Sequence, residues 1–321
     1  MEKEQHINQA TQLLRSGELV AIPTETVYGL AANALDKTAV SKIFEAKGRP
    51  TFDPLIVHVK SAEALKDYAQ NIPDVAFKLA EAFWPGPLTL ILEKRDIIPY
   101  IVTSGNDTVG LRMPNHPLTL ELLQQLEFPL AAPSANPFGY VSPTEALHVE
   151  QQLGEKVKLV LDGGACKVGV ESTIVKCYAD QVEVLRLGGL PVESIEEVIG
   201  KPVDQIKTSS SNPQAPGMLS SHYSPLKPLY FGSIRENLER FHPDRVGIIW
   251  FENDNDILDS THQRVLSPNG DLNEAAANLF RFMRELDAID VDVILAEPVP
   301  DEGLGRAIND RLKRASHPTE R

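Results

Sequence analysis

The chain has 321 residues, enough for roughly two domains, and a hydrophobic content of 42% is sufficient to build cores. A formal net charge of −14 with no long basic run argues against tight binding along a nucleic-acid backbone, which needs clustered Lys and Arg. Two cysteines, Cys166 and Cys177, exclude a disulfide framework and a CxxC zinc site but leave a single disulfide open, and no apolar run approaches the ~20 residues that span a bilayer.

The amino-terminal run MEKEQHINQATQLL is charged and amphipathic, unlike a signal peptide, so the expected location is the cytoplasm. Ile7, Ala10, Leu13 and Leu14 form the apolar face of a helix from Glu4 to Arg15, with Gly17 as its stop. ELVAIP reads as a buried strand, TETVYGLAANALD as a loop, KTAVSKIFEAKG as a helix and PLIVHV as a strand. Two helices fill Ala62 to Phe83. PLTLIL and TVGLRM are strands, HPLTLELLQQL a helix, and PLAAPSAN a short strand that ends in a turn. VKLVLDGG, ESTIVKCY and QVEVLRLGG are three more strands, the last two a hairpin. The sum is a mixed sheet of about seven strands covered by helices. From Pro202 to Pro225 the periodicity fades into Ser, Pro and Asn. Beyond it, alternating strands and helices predict a smaller Rossmann-like α/β domain. The expected organisation is a first domain over 1–201, a linker or lid over 202–226 and a second domain over 227–321.

Several residues stand where loops meet strands. Lys47 and Arg49 flank Gly48 before Pro50: two cations on a short rigid loop suit an oxyanion, while cations at a helix C-terminus also favour the macrodipole without any ligand. His58 lies in an apolar strand, either as a satisfied half-buried histidine or facing the same crevice. Ser134 and Asn136 sit between Pro133 and Pro137 and would bond a ligand or cap their own loop. Ser142 before Pro143 also reads as a helix-start signal. Arg112 closes an apolar run, a position suited to a bidentate carboxylate clamp. Ser172 and Thr173 enter a strand after a glycine, and Arg186 precedes two glycines that permit close backbone approach. No Ser-His-Asp order, HExxH or GxxxxGK[ST] loop occurs. This inventory fits a preformed site for an anionic ligand better than covalent catalysis.

The ordered motifs PTETVYGLAANA, KGRP, DPLIVHV, WPGPLTLIL, GLRMPNHP, APSAN, SPT, LDGG, ESTIV, LRLGG and PGMLSSHYSP, with the tail EGLGRAINDRLKRAS, resemble the YrdC-like threonylcarbamoyl-adenylate synthases in their long, two-domain form. The resemblance implies a twisted mixed α/β sheet with a concave cavity, followed by the smaller Rossmann-like α/β domain. It implies that L-threonine, bicarbonate and ATP, with Mg²⁺, give threonylcarbamoyl-AMP, pyrophosphate and water, for an adenosine modification of tRNA. A transient hand-off to the tRNA threonylcarbamoyl-transfer machinery would follow. Carried over, the threonine site would use Thr26, His58, Arg112, Ser172 and the backbone around Ala132. The nucleotide site would use Lys47, Arg49, Asp53, Ser134, Asn136, Ser142 and Arg186, with the backbone near Thr108. Lys47 and Arg49 would neutralise the departing pyrophosphate. The family often has Asn where this chain has Asp53, and an acid beside a triphosphate repels it unless it pairs with Arg49 or meets Mg²⁺. PGMLSSHYSP would be a cover for the cavity, with Met218 packing and His222 or Tyr223 reaching the nucleotide, or else a tether whose Met and Tyr pack between domains. Two other readings compete: an RNA-binding module on the same fold, and a carbamoyl-adenylate domain from hydrogenase maturation, which normally carries zinc-finger cysteines absent here.

Overall fold

The structure, a computed structural model, describes residues 2–179, 181–205, 215–217, 222–252 and 262–317. It divides into two compact units. The first comprises Met1–Phe138, Pro143–Lys167 and Glu171–Leu219; the second takes in Gly139–Ser142, Val168–Val170 and Ser220–Arg321.

In the first unit, α1 (Glu2–Arg15) ends two residues before Gly17, whose φ of +74° places it in the left-handed region that a glycine adopts freely. β1 (Val20–Ile22) leads into β2 (Gly29–Asn33), a strand where a loop was expected. GLAAN has small residues with little strand preference. It becomes a strand because it is held between β1 and a later strand. α2 (Lys37–Lys47) is capped by the Asp36 carboxylate, which accepts hydrogen bonds from the Thr38 and Ala39 N–H groups. Gly48, at φ +62°, ends this helix, so Lys47 is its last residue and Arg49 starts the loop. There follow β3 (Ile56–His58), α3 (Leu65–Tyr68), α4 (Asp74–Phe83), β4 (Leu88–Glu93), α5 (Tyr100–Thr103), β5 (Thr108–Arg112), α6 (Pro117–Gln124) and β6 (Leu130–Ala131). α7 (Ala146–Leu153), β7 (Leu159–Val160), β8 (Thr173–Tyr178), β9 (Gln181–Arg186), α8 (Val192–Ile199) and β10 (Asp204–Gln205) complete it. α7 begins after Glu145, so Ser142 is not its N-cap.

Ten strands form one mixed sheet in the order β10-β9-β8-β4-β5-β3-β6-β2-β1-β7, rather than about seven. β3 runs parallel to β5 and β4 parallel to β8, while β4–β5 and the β8–β9 hairpin are antiparallel. Period-two alternation sorts the central strands onto two faces. Val57, Leu88, Leu90, Leu92, Val109, Leu111 and Val175 enter the main core with the buried faces of α2 and α4. Ile56, Ile91, Ile174 and Leu185 form a separate small cluster with Ala215, a residue of the segment that follows the sheet.

The second unit contains β11 (Leu229–Phe231), α9 (Ile234–Leu238), β12 (Val246–Trp250), β13 (Gln263–Val265), α10 (Leu272–Ala288), β14 (Val293–Ala296) and α11 (Gly305–Ala315). Its four strands are all parallel, in the order β11-β14-β12-β13, around a core that includes Val246, Ile248, Trp250, Val293 and Leu295. Alternating strand and helix predicted this α/β pattern. β13 is the one strand of it among the described residues that periodicity missed.

Candidate active site

The smaller apolar cluster of the first unit is the floor of the site. On the sheet face that carries Ile56 and Ile91, Gly110 leaves space: a Cβ there would lie 3.2 Å from Ile91 Cδ1 and 3.3 Å from Thr89 Cγ2. By the same alternation Arg112 follows Gly110 onto this face and His58 follows Ile56, while the parallel register sets His58 beside Arg112. Segment 215–217 belongs to the same unit. Ala215 is fully buried in the cluster, and the Pro216 carbonyl accepts a hydrogen bond from Arg186 Nη1 at 3.2 Å.

At one end of the floor stands a buried guanidinium. Arg112 Nη2 donates to Glu25 Oε1 at 2.7 Å and to Thr26 Oγ1 at 3.0 Å, and Nε donates to the Gly86 carbonyl at 3.3 Å. Its Nη1 makes no hydrogen bond among the described residues. Thr26 Oγ1 is itself held at 2.8 Å by Thr24 Oγ1, and the other Glu25 oxygen accepts from the Asn115 N–H at 2.9 Å. Glu25, 7% exposed, is the site residue that sequence reasoning missed. Its only signal is a lone carboxylate within the small and apolar run that follows β1. His58 is 3% exposed, and its Nδ1 is buried without a hydrogen-bond partner among the described residues. Burial, reinforced by Arg112, pushes its pKa down to about 3, so the imidazole is neutral. A neutral imidazole beside an arginine with a free amino group is equipped to bind a polar molecule that carries a carboxylate. The Ala132 N–H donates to the Ile56 carbonyl, which places the Ala132 backbone against the start of β3.

The second group is cationic. Lys47 is 4% exposed, and its Nζ donates to the Ser134 and Asn136 carbonyls, tying the end of α2 to the loop after β6. That uses two of its three donors. Burial, then the nearby Arg49, pushes the Lys47 pKa well below the ordinary value, while Asp53 and Glu171 oppose the shift. Arg49 Nε and Nη2 donate to the Asp53 and Pro54 carbonyls at 3.0 and 2.8 Å, and Nη2 lies 3.0 Å from Asp53 Oδ2. Asp53 thus pairs with Arg49, one of the two partners expected for it. Arg186 donates from Nε and Nη2 to the Ser172 carbonyl and from Nη2 to Ser172 Oγ at 3.1 Å, and Ser172 Oγ also meets Thr89 Oγ1 at 2.8 Å. Gly188 makes this turn: a Cβ there would lie 2.4 Å from the Ser172 carbonyl carbon.

Thr108 opens β5 and pairs with Glu93, whereas Arg112 closes the strand, about 13 Å away at the usual rise per residue. Thr108 lines a groove of ≈590 Å³ with Glu93, Tyr100 and Asp107, at the end of β5 opposite Arg112. Strand polarity is the reason, because the two ends of one strand cannot face the same end of a sheet. Ser142, His222 and Tyr223 belong to the second unit. There the Ser142 carbonyl accepts from Arg284 Nε at 3.2 Å. Tyr223 is 1% exposed, stacks on Phe280 at 5.6 Å between centroids and lies under the Arg311 guanidinium, while His222 meets its edge. Tyr223 also has a φ of +67°, a strained value that its packing must hold in place. Met218 lies outside the described residues. Cys166 and Cys177 are both free and buried, and burial raises both thiols, Cys177 to about 12. Among the described residues no group of three or more His, Cys, Asp or Glu is placed to hold a metal ion, and no helix is long and apolar enough to cross a membrane.

Comparison with known proteins adds to this geometry. The Sua5/YciO/YrdC family, described as telomere recombination, matches residues 12–188, and a second family, described as threonylcarbamoyl-AMP synthase, C-terminal domain, matches residues 190–317. A threonylcarbamoyl-AMP synthase of Pyrococcus abyssi (strain GE5 / Orsay) is 44% identical over 329 residues, covering 98% of this chain and 95% of that protein. One of Bacillus subtilis (strain 168) is 43% identical, covering 97% and 92%. The crystal structure of P. abyssi Sua5 complexed with L-threonine superposes with a TM-score of 0.89 at 43% identity, covering 97% of this chain and 94% of that one.

Proposed function

The chain belongs to the Sua5/YciO/YrdC family in its two-domain form, and on that premise we propose that it is an L-threonylcarbamoyladenylate synthase acting in tRNA modification. The observation that carries this reading is the buried pair of Arg112 and His58, one with an unengaged Nη1 and the other neutral, on a floor kept open by Gly110. L-Threonine offers a carboxylate for Arg112 and a hydroxyl for His58 or Thr26, with Ser172 and the Ala132 backbone completing the site.

The chemistry is that of a nucleotidyltransferase. The threonine amine and bicarbonate form a carbamate with loss of water, a carbamate oxygen attacks the α-phosphorus of ATP, and the bond to pyrophosphate breaks. Such a displacement needs alignment and charge neutralisation rather than a protein nucleophile. Lys47 presents its third donor to the phosphates, Arg49 and Arg186 add charge, and Ser134 and Asn136 shape the loop that Lys47 holds. Mg²⁺ arrives as part of the substrate MgATP. We place the reaction in the cytoplasm, with two free thiols in keeping with a reducing compartment, and expect the labile product to pass directly to the tRNA-modifying machinery.

Pyrophosphate release from MgATP tests the reading. Release should require both L-threonine and bicarbonate, and Lys47→Ala should slow it by ~10²–10³, the usual effect of losing one charge-stabilising group. Near-normal release by that variant would remove Lys47 from the mechanism.

A further inference from the structure

Among the candidate phosphate-binding residues one carboxylate is out of keeping. Asp53 is 0% exposed, and neither of its oxygens accepts a directed hydrogen bond among the described residues, although Oδ2 lies 3.0 Å from Arg49 Nη2. Buried polar atoms are nearly always hydrogen-bonded, so a buried carboxylate held by a single ion pair requires a reason. Arg49 does not need it for position, because the Asp53 and Pro54 carbonyls already hold Nε and Nη2. The carboxylate therefore supplies charge rather than geometry. The charged groups facing it are Arg49 on its own loop, Lys47 at the end of α2 and Arg186 at the end of β9, with Glu171 acting on Lys47. Asp53 thus stands among three cations, with Glu171 as a second buried carboxylate.

We propose that Asp53 is the counter-charge of the phosphate site: it neutralises Arg49 until a nucleoside triphosphate arrives, then takes up one proton from solvent and leaves the charge of Arg49 to the phosphates. The inference rests on the reading that the triphosphate binds at Lys47, Arg49 and Arg186. It follows from the exchange of partners. A triphosphate brings several negative charges against a buried carboxylate held only by its ion pair with Arg49, and proton uptake is the low-cost escape. Burial already raises the Asp53 pKa against the pull of Arg49, Lys47 and Arg186. A neutral side chain of the same shape would remove both the repulsion and the proton.

The test is binding of MgATP, without threonine or bicarbonate, to the full chain and to Asp53→Asn. Calorimetry in two buffers of different ionisation enthalpy counts the protons taken up. The native protein should take up about one more proton per nucleotide than the variant, and its dissociation constant should rise by up to about tenfold per pH unit across neutrality. The dissociation constant of Asp53→Asn should be lower and less dependent on pH. Infrared difference spectra of the native protein with ¹³C-aspartate provide a reading that does not depend on the variant folding: a protonated-carboxyl stretch should appear when MgATP is added. Equal proton uptake by the two proteins, or no such band, overturns the role of Asp53 while leaving the nucleotide site in place. Failure of the native protein to bind MgATP overturns the site reading, and this proposal with it.

Discussion

At the residue scale, Arg112 and Glu25 form a buried ion pair beside the proposed threonine site. Removing one partner of such a pair leaves an uncompensated charge and typically costs ~3–5 kcal/mol, so Glu25 must hold Arg112 in one orientation as well as balance it. Glu25→Gln keeps the shape and loses the charge-assisted bond. The expected outcome is a KM for threonine raised about tenfold, the scale of one such bond, with the KM for ATP little changed. Steady-state pyrophosphate release with each substrate varied in turn checks this, and equal changes in both constants would mean a general loss of structure. His58 gives a pH signature. Its ordinary pKa of 6.5 applies in the unfolded chain and about 3 in the folded one. Between these values the unfolded state binds a proton that the native state does not, so stability falls as pH falls from about 6.5 toward 3. His58→Asn should lose stability less steeply over that window, as read from urea unfolding at a series of pH values.

At the element scale, the site depends on strand ends and on one gap in a strand. β3 and β5 lie parallel, so their carboxyl ends bring His58 and Arg112 together, and β4 and β8 begin where Thr89 meets Ser172. Gly110 keeps the floor open between them. Gly110→Val would place its Cβ 3.2 Å from Ile91 Cδ1 and push two further methyl groups into the space above the floor. The expected result is a folded protein, destabilised by about 1–3 kcal/mol through overpacking, that no longer binds threonine. Thermal melting and threonine calorimetry on the same sample separate the two effects. The Ser, Pro and Asn that made the stretch from Pro202 to Pro225 read as a linker conceal two attachments. Ala215 and Pro216 pack on the floor and on Arg186, while Tyr223 and His222 are buried in the second unit.

At the scale of the whole molecule, charge decides between an enzyme and an RNA-binding module. The chain carries −14 overall, and the cations of the site are buried and already bonded to carbonyls and carboxylates. Binding to unmodified tRNA at physiological salt should therefore be no tighter than the ~10⁻⁴–10⁻⁶ M typical of non-specific association, and a salt titration of a fluorescent tRNA measures it. Tight, steeply salt-dependent binding without ATP turnover would favour the module instead.

The sequence by itself determined the two-part α/β organisation and most of the elements, because period-two and 3.6-residue patterns are local and survive in the primary order. It also marked Lys47, Arg49, His58, Arg112, Ser172 and Arg186 as candidates, since proline and glycine beside a polar residue announce a strand end. Only the tertiary structure decided which of them share a surface. β2 is a strand because its neighbours pair with it, not because GLAAN favours one. Thr108 parts from Arg112 because a strand has two ends, Glu25 joins Arg112 across 87 positions of chain, and Asp53 settles on Arg49 four residues away. Contacts of that kind depend on register and burial, which no local pattern encodes.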